Sequence, residues 1–279
     1  MRFTTSILIT STTLLCLNAT AADWQSLPTT APAPAGNPTT PAKVDLGKML
    51  YFDPRLSSNG TLSCFSCHNV MEGGDDHRPT SVGVHDQVGG RNAPTVWNAA
   101  FQSAQFWDGR APSLEAQAKG PIANPIEMGM PKLELAVHRI ASIPGYQDYF
   151  DQAFGGDAKI TEDTIAMAIA AYERTLITPD SAYDRFVKGD KKALTAAQQR
   201  GMQLFSANGC TACHSGANFS GPTLTEGQPF LMKFPVFENS PYVKQYQLDE
   251  DSGRAASTGK PEDQHMWRVP TLRNLTLPC

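Results

Sequence analysis

The sequence predicts a mainly α-helical protein of two units connected by long loops. The first observation is a short motif present twice, Cys64-Phe65-Ser66-Cys67-His68 and Cys210-Thr211-Ala212-Cys213-His214. The second is a set of helix-period apolar segments with N-capping residues in front of them. The third is the near absence of alternating apolar and polar residues, so that almost no strand is expected. C-x-x-C-H is the attachment signature of c-type haem: both thiols add to the haem vinyl groups and the adjoining histidine becomes the proximal axial ligand. A redox C-x-x-C pair or half of a zinc site is the competing reading. Against zinc, each cysteine pair has its own histidine directly behind it. The predicted architecture is therefore two cytochrome c-like haem domains with long loops, each haem replacing apolar core that its half could not build alone.

The chain has 279 residues and a formal net charge of -4, which gives no indication of nucleic-acid binding. Residues 1–21 read as a secretory signal, with Arg2 as the charged start, an apolar run over 6–17 and Ala19-Thr20-Ala21 as the cleavage site. Export implies a periplasmic protein, where c-type haem is attached. Of six cysteines, four lie in the two motifs and Cys16 lies in the signal. Only Cys279 then remains, so no internal disulfide framework is expected. A lipid anchor at Cys16 is disfavoured because Thr13-Leu14-Leu15 lacks the usual small residue before the cysteine.

Residues 22–43 are rich in Pro, Ala and Thr and read as an extended or disordered linker. Apolar residues at helical spacing predict a helix over 44–51, followed by turns at Asp53-Pro54 and Ser57-Ser58-Asn59-Gly60 and then by the first motif. Residues 71–91, rich in Gly, Asp and Ser, read as a loop containing His77 and His85. Ser113 is the expected N-cap of a short helix to residue 119, and longer helices are expected over 132–140 and 162–177. Thr178-Pro179-Asp180 marks a domain boundary, dividing 44–178 from 179–279. Thr195-Ala196-Ala197-Gln198 is a capping box opening a helix to residue 205 that feeds the second motif. From residue 216 to about 264 the chain reads as Gly/Pro-rich loop.

Two c-type haems suit either an electron carrier with closed iron sites or an enzyme with an openable one. Further residues bear on this choice: Ser81-Val82-Gly83, Arg91-Asn92-Ala93-Pro94-Thr95, Gln105-Phe106-Trp107-Asp108-Gly109-Arg110, Gln117-Ala118-Lys119-Gly120-Pro121 and Glu127-Met128. Set in this order between the motifs, they resemble the bacterial di-haem cytochrome c peroxidases. That family also includes the MauG-like enzymes, which oxidise a partner protein. The resemblance covers residues 44–277. It implies that the haem on His68 is peroxidatic, while the haem on His214 takes electrons from a small periplasmic donor, a cytochrome c or a blue copper protein. Trp107 matches the tryptophan between the haems. Glu127 and Gln117 match the pair at the peroxide site, the first moving a proton between the peroxide oxygens and the second orienting the peroxide. In many family members a loop histidine caps the peroxidatic iron at rest. His85 is the expected ligand, although it falls one position after the family pattern, where this chain has Val84; His77 is the runner-up. Asn92 matches a side-chain ligand of a calcium ion between the domains, and a homodimer is implied.

The chain departs from the resemblance at its end. Family members continue for tens of residues past Arg273-Asn274-Leu275-Thr276-Leu277, with the remaining calcium carbonyls and a methionine for the second haem. The expectation is a truncated chain with an impaired electron-entry haem. His265, Met266 and Met232 are substitute candidates, none at the family position.

Overall fold

The computed structural model describes residues 24–275. Residues 1–21, expected to be a secretory signal and including Cys16, and Cys279 at the other end lie outside the described residues. The protein is mainly helical, and its apolar core lies in the first half of the chain. Among the described residues, no helix is long and apolar enough to cross a membrane.

The Pro/Ala/Thr-rich stretch, expected to be an extended or disordered linker, leads into a helix that begins at Pro41. The part before that helix is non-helical, but it is held against the body of the protein. Leu27 is fully buried and its N–H donates to Asp184 Oδ1 at 2.9 Å. Asn37, also buried, donates its amide to Glu115 Oε1 at 2.7 Å and accepts from Lys43 Nζ at 3.0 Å. Buried polar groups of this kind are retained only where they are paired.

Helix α1 spans Pro41–Tyr51 and starts three residues earlier than periodicity suggested. Thr40 caps it through Lys43 N, and Pro41 occupies a first-turn position, where its missing N–H costs nothing. α2 is the single turn Cys64–Cys67. α3 (Leu114–Ala123) begins at the expected cap, with Ser113 Oγ accepting from Ala116 N. α4 is Leu133–Ala141, within one residue of expectation. α5 (Tyr146–Phe154) has no counterpart among the sequence expectations; its signal is aromatic spacing, Tyr146, Phe150 and Phe154, between Gly145 and Gly155.

α6 (Glu162–Glu173) is the central helix and is buried nearly all round, through Ile165, Ala166, Ala168, Ile169, Ala170, Ala171 and Tyr172. It stops four residues before the expected end because Asn98 captures the following backbone. Asn98 N donates to Leu176 O at 2.8 Å, and its side-chain oxygen accepts from Thr178 N at 2.9 Å. α1 crosses α6 at Gly47, where an added Cβ would lie 1.8 Å from the Ala168 carbonyl oxygen. Gly47→Ala is therefore expected to force the helices apart and cost about 3 kcal/mol, the upper end for overpacking. The check is the shift of the urea unfolding midpoint.

The second half contains α7 (Ala182–Val187) and α8 (Ala196–Ala207), the latter capped by the expected Thr195–Gln198 box. None of the residues of α8 is buried. Beyond it are two short helices, α9 (Pro241–Gln245) and α10 (Ala255–Thr258), in the region read as loop. Two three-residue strands, β1 (Leu231–Lys233) and β2 (Met266–Arg268), pair antiparallel with Met232 opposite Trp267. Among the described residues, one ion pair crosses between the halves. Arg91 binds Asp251 through Nε at 2.7 Å and Nη2 at 2.8 Å, and it also reaches Asp108 at 2.9 Å.

Candidate haem and peroxide site

The first motif is pre-shaped by its own backbone. Ser63 precedes the single turn of α2, and His68 N donates to Cys64 O at 2.9 Å. One helical turn thus carries Cys64, Cys67 and His68 on adjacent positions of one surface. The hydroxyl of buried Tyr51 donates to His68 O at 2.8 Å and pins the end of that turn. Burial lowers the pKa of His68, which favours the neutral imidazole, the form that ligates a metal.

A cavity of about 330 Å³ opens beside this turn. Cys64, Cys67 and His68 line it together with Trp107, Gln117 and Glu127. Gln117 comes from α3, and Glu127 from the turn that follows it. Burial raises the Glu127 pKa, against the opposing effects of Arg110 and of a 2.9 Å hydrogen bond donated by Asn124. The backbone at Glu127 is fixed by a close approach. Val84 N donates to Glu127 O at 2.8 Å, and a Cβ on Gly83 would lie 1.7 Å from Ile126 O. Trp107 is held from both sides: its indole N–H donates to Asn92 O at 2.8 Å and its carbonyl accepts from Arg268 N at 2.8 Å.

The structure does not bring His85 to this cavity. Val84 is 2% exposed and packs toward Gly129, so the turn at residues 84–86 places its apolar member inside and leaves His85 exposed. His77 lies 3.2 Å from Asp75 and 3.5 Å from Glu72 and is likewise not a lining residue. Asn92 lines the cavity, but its side-chain N–H donates to Arg78 O at 2.7 Å. Among the described residues no group of three or more His, Cys, Asp or Glu is placed to hold a metal ion.

The second motif sits apart from that cavity. α8 ends at Ala207, Gly209 takes left-handed backbone, and the 3-10 turn Cys210–Ala212 follows. His214 N donates to Cys210 O at 2.9 Å, which repeats the geometry of the first motif. The His214 Nδ1–H donates to Phe219 O at 3.0 Å, leaving the Nε2 lone pair for a metal. His265 instead donates Nδ1–H to Asp251 O, and Met232 and Met266 lie in the β-ribbon.

Arg110, Glu173 and Arg268 also line the first cavity and were not singled out from the sequence. Arg110 stands in the quoted Trp107 segment, and Glu173 is the one acid beyond the first turn of α6, after an apolar run, so each had a visible signal. Glu173 is 5% exposed. Burial pushes its pKa up to about 8, with Glu115 acting in the same direction and Arg174 against it. The folded protein therefore holds this proton from the ordinary value of 4.5 up to about 8. Stability falls as pH rises through that window, because the unfolded chain has already released the proton. Glu173→Gln is expected to unfold with the parent near pH ~5 and to be the more stable of the two near pH ~9. Thermal unfolding across that range is the check.

Two covalent attachment motifs on one helical scaffold define a di-haem redox protein. The four motif cysteines form no disulfides, and a cavity stands beside the first pair. The profile of the di-haem cytochrome c peroxidase family matches residues 41–192. The cytochrome c551 peroxidase of Pseudomonas aeruginosa is 47% identical over 244 residues, covering 87% of this chain and 67% of that protein. The methylamine utilization protein MauG of Methylophilus methylotrophus is 35% identical, covering 99% of this chain and 80% of its own. A solved MauG-like protein associated with microbial copper homeostasis superimposes with a TM-score of 0.76 at 30% identity, over 93% of this chain and 77% of that one. The chain belongs to the di-haem cytochrome c peroxidase family and is an oxidoreductase of the peroxidase class. Membership implies two c-type haems.

Proposed function

We propose that the protein reduces hydrogen peroxide to two waters in the periplasm, with two electrons from a small cytochrome c or cupredoxin. The observation that carries this reading is the raised-pKa carboxylate Glu127 on the wall of the cavity lined by Cys64, Cys67 and His68. Cys64 and Cys67 would hold one haem with His68 as ligand, and Cys210, Cys213 and His214 would hold the other. The haem in the cavity would supply the electrons that enter the O–O bond. Glu127 takes the proton from one peroxide oxygen and returns it to the other, so that a neutral water leaves rather than hydroxide. The remaining oxygen takes two electrons in all and two protons from solvent to become the second water. Gln117 orients the peroxide by hydrogen bonding. Trp107, locked between Asn92 O and Arg268 N, gives electrons a contact path from the second haem. Calcium at Asn92 and a homodimer belong to the same proposal, as does a loop histidine that would have to move to reach the iron.

A second reading, oxidation of a protein partner, is favoured by the similarity to proteins named MauG. The deciding experiment uses protein matured in a periplasm, with both haems confirmed by mass. Addition of peroxide is expected to oxidise a reduced small cytochrome c catalytically, with two equivalents consumed per peroxide. Rapid reaction with peroxide but no turnover of the donor would favour the protein-oxidising reading, and no reaction with peroxide would leave a carrier.

A further inference from the structure

Arg268 differs from the other buried arginines of the molecule. It is 5% exposed, yet among the described residues it forms no ion pair. Arg174 is paired with Glu115 at 2.7 Å, and Arg273 with Asp184 at 2.8 Å. The half-buried Arg91 is paired with Asp108 and Asp251. Arg268 has only neutral partners, Phe106 O at 3.0 Å and Val269 O at 3.4 Å. Asp108 is near enough to influence it, but that carboxylate is already engaged by Arg91, Arg110 and Ser257. Burial pushes the Arg268 pKa down to about 10, so the guanidinium remains charged at neutral pH. A buried charge without a counter-ion is strongly destabilising.

The position of Arg268 is fixed by its backbone. It is the last residue of β2, opposite Leu231, and its N–H is bonded to Trp107 O. From there it lines the cavity that also contains Cys64, Cys67 and His68. The group expected in that cavity brings its own anions, since haem carries two propionate side chains. A guanidinium matches a carboxylate with two parallel hydrogen bonds, a geometry that lysine does not supply.

We propose that Arg268 is the counter-ion of a propionate of the haem attached at Cys64 and Cys67, so that a residue from the second half of the chain balances the charge of the first haem. The proposal rests on the haem-site reading above. It explains a buried cation that the protein alone leaves uncompensated. It also gives that haem a reduction potential tuned from the other half, because a fixed positive charge beside the porphyrin favours the reduced iron.

The test uses the mature di-haem protein as wild type, Arg268→Gln and Arg268→Lys, with haem attachment confirmed by mass. Spectroelectrochemical titration resolves the two midpoints, and resonance Raman spectroscopy reads the propionate bending mode. Arg268→Gln is expected to shift the first haem's ferric/ferrous equilibrium about tenfold toward ferric, roughly 59 mV for one electron, and to leave the second unchanged. Arg268→Lys is expected to keep the midpoint within about twofold but to shift the Raman mode, since charge is retained while the paired hydrogen bonds are lost. An attached haem with an unchanged midpoint in Arg268→Gln overturns the proposal alone. If that variant does not mature, an unchanged propionate mode in Arg268→Lys overturns it equally. Absence of haem from Cys64 and Cys67 in the wild type overturns the underlying reading with it.

Discussion

Glu127→Gln is expected to lower peroxide turnover by roughly 10²- to 10⁴-fold, the usual contribution of a positioned acid–base group. Glutamine keeps the shape and can still accept from Asn124, so the loss isolates proton transfer from packing. Two features make Glu127 suited to the role. Burial holds its pKa above the ordinary carboxylate value, nearer the working pH, where a group can both accept and return a proton. Its backbone is clamped by Val84 N and by the close approach of Gly83, so the carboxyl group has little freedom to drift. The check is steady-state turnover with a reduced cytochrome donor, alongside the midpoint potentials of both haems. The expected pattern is a fall in kcat with both potentials unchanged. A variant that retains wild-type turnover would remove Glu127 from the mechanism.

Arg273→Ala is expected to destabilise the fold by about 3–5 kcal/mol, the usual cost of orphaning one member of a buried ion pair. Arg273 binds Asp184 through both terminal nitrogens, at 2.9 and 2.8 Å, and Asp184 is fully buried. The same carboxylate accepts from Leu27 N, Ser181 N and Ser181 Oγ. Its pKa is lowered by these bonds despite burial, with hydrogen bonding from Arg273 the largest favourable cause. A depressed folded pKa contributes stability above the ordinary value of 3.8, and that contribution is lost as pH falls through the lowered value. The difference between parent and Arg273→Ala should therefore be full at neutral pH and shrink in acid. Thermal unfolding at both pH values reads this directly. Adding Asp184→Asn to Arg273→Ala is expected to recover part of the loss, because the stranded charge is then gone.

What could be read from the sequence was local or covalent. Five consecutive residues suffice to identify each haem attachment, because the two thiols and the imidazole must reach one porphyrin. The caps at Ser113 and Thr195 are also local, and helices begin at each of them. The start of α1 was missed because Thr40 and Pro41 look like the end of a linker until the helix behind them is seen. The end of α6 was missed because Asn98, far away in sequence, takes over its backbone. Within the site, Trp107, Gln117 and Glu127 were identified by resemblance rather than by pattern, and all three line the cavity. His85 fits the loop but not its side-chain alternation, since Val84 takes the inward position. Arg268 gave no signal at all, as nothing in its neighbours in the chain indicates that a strand from the far half borders the first cavity.

The carboxylate of Asp184 joins three distant parts of the chain, near residues 27, 184 and 273. Both ends of the described chain are thereby tied to one carboxylate, so its loss would release the stretch around Leu27 and the stretch around Arg273 together.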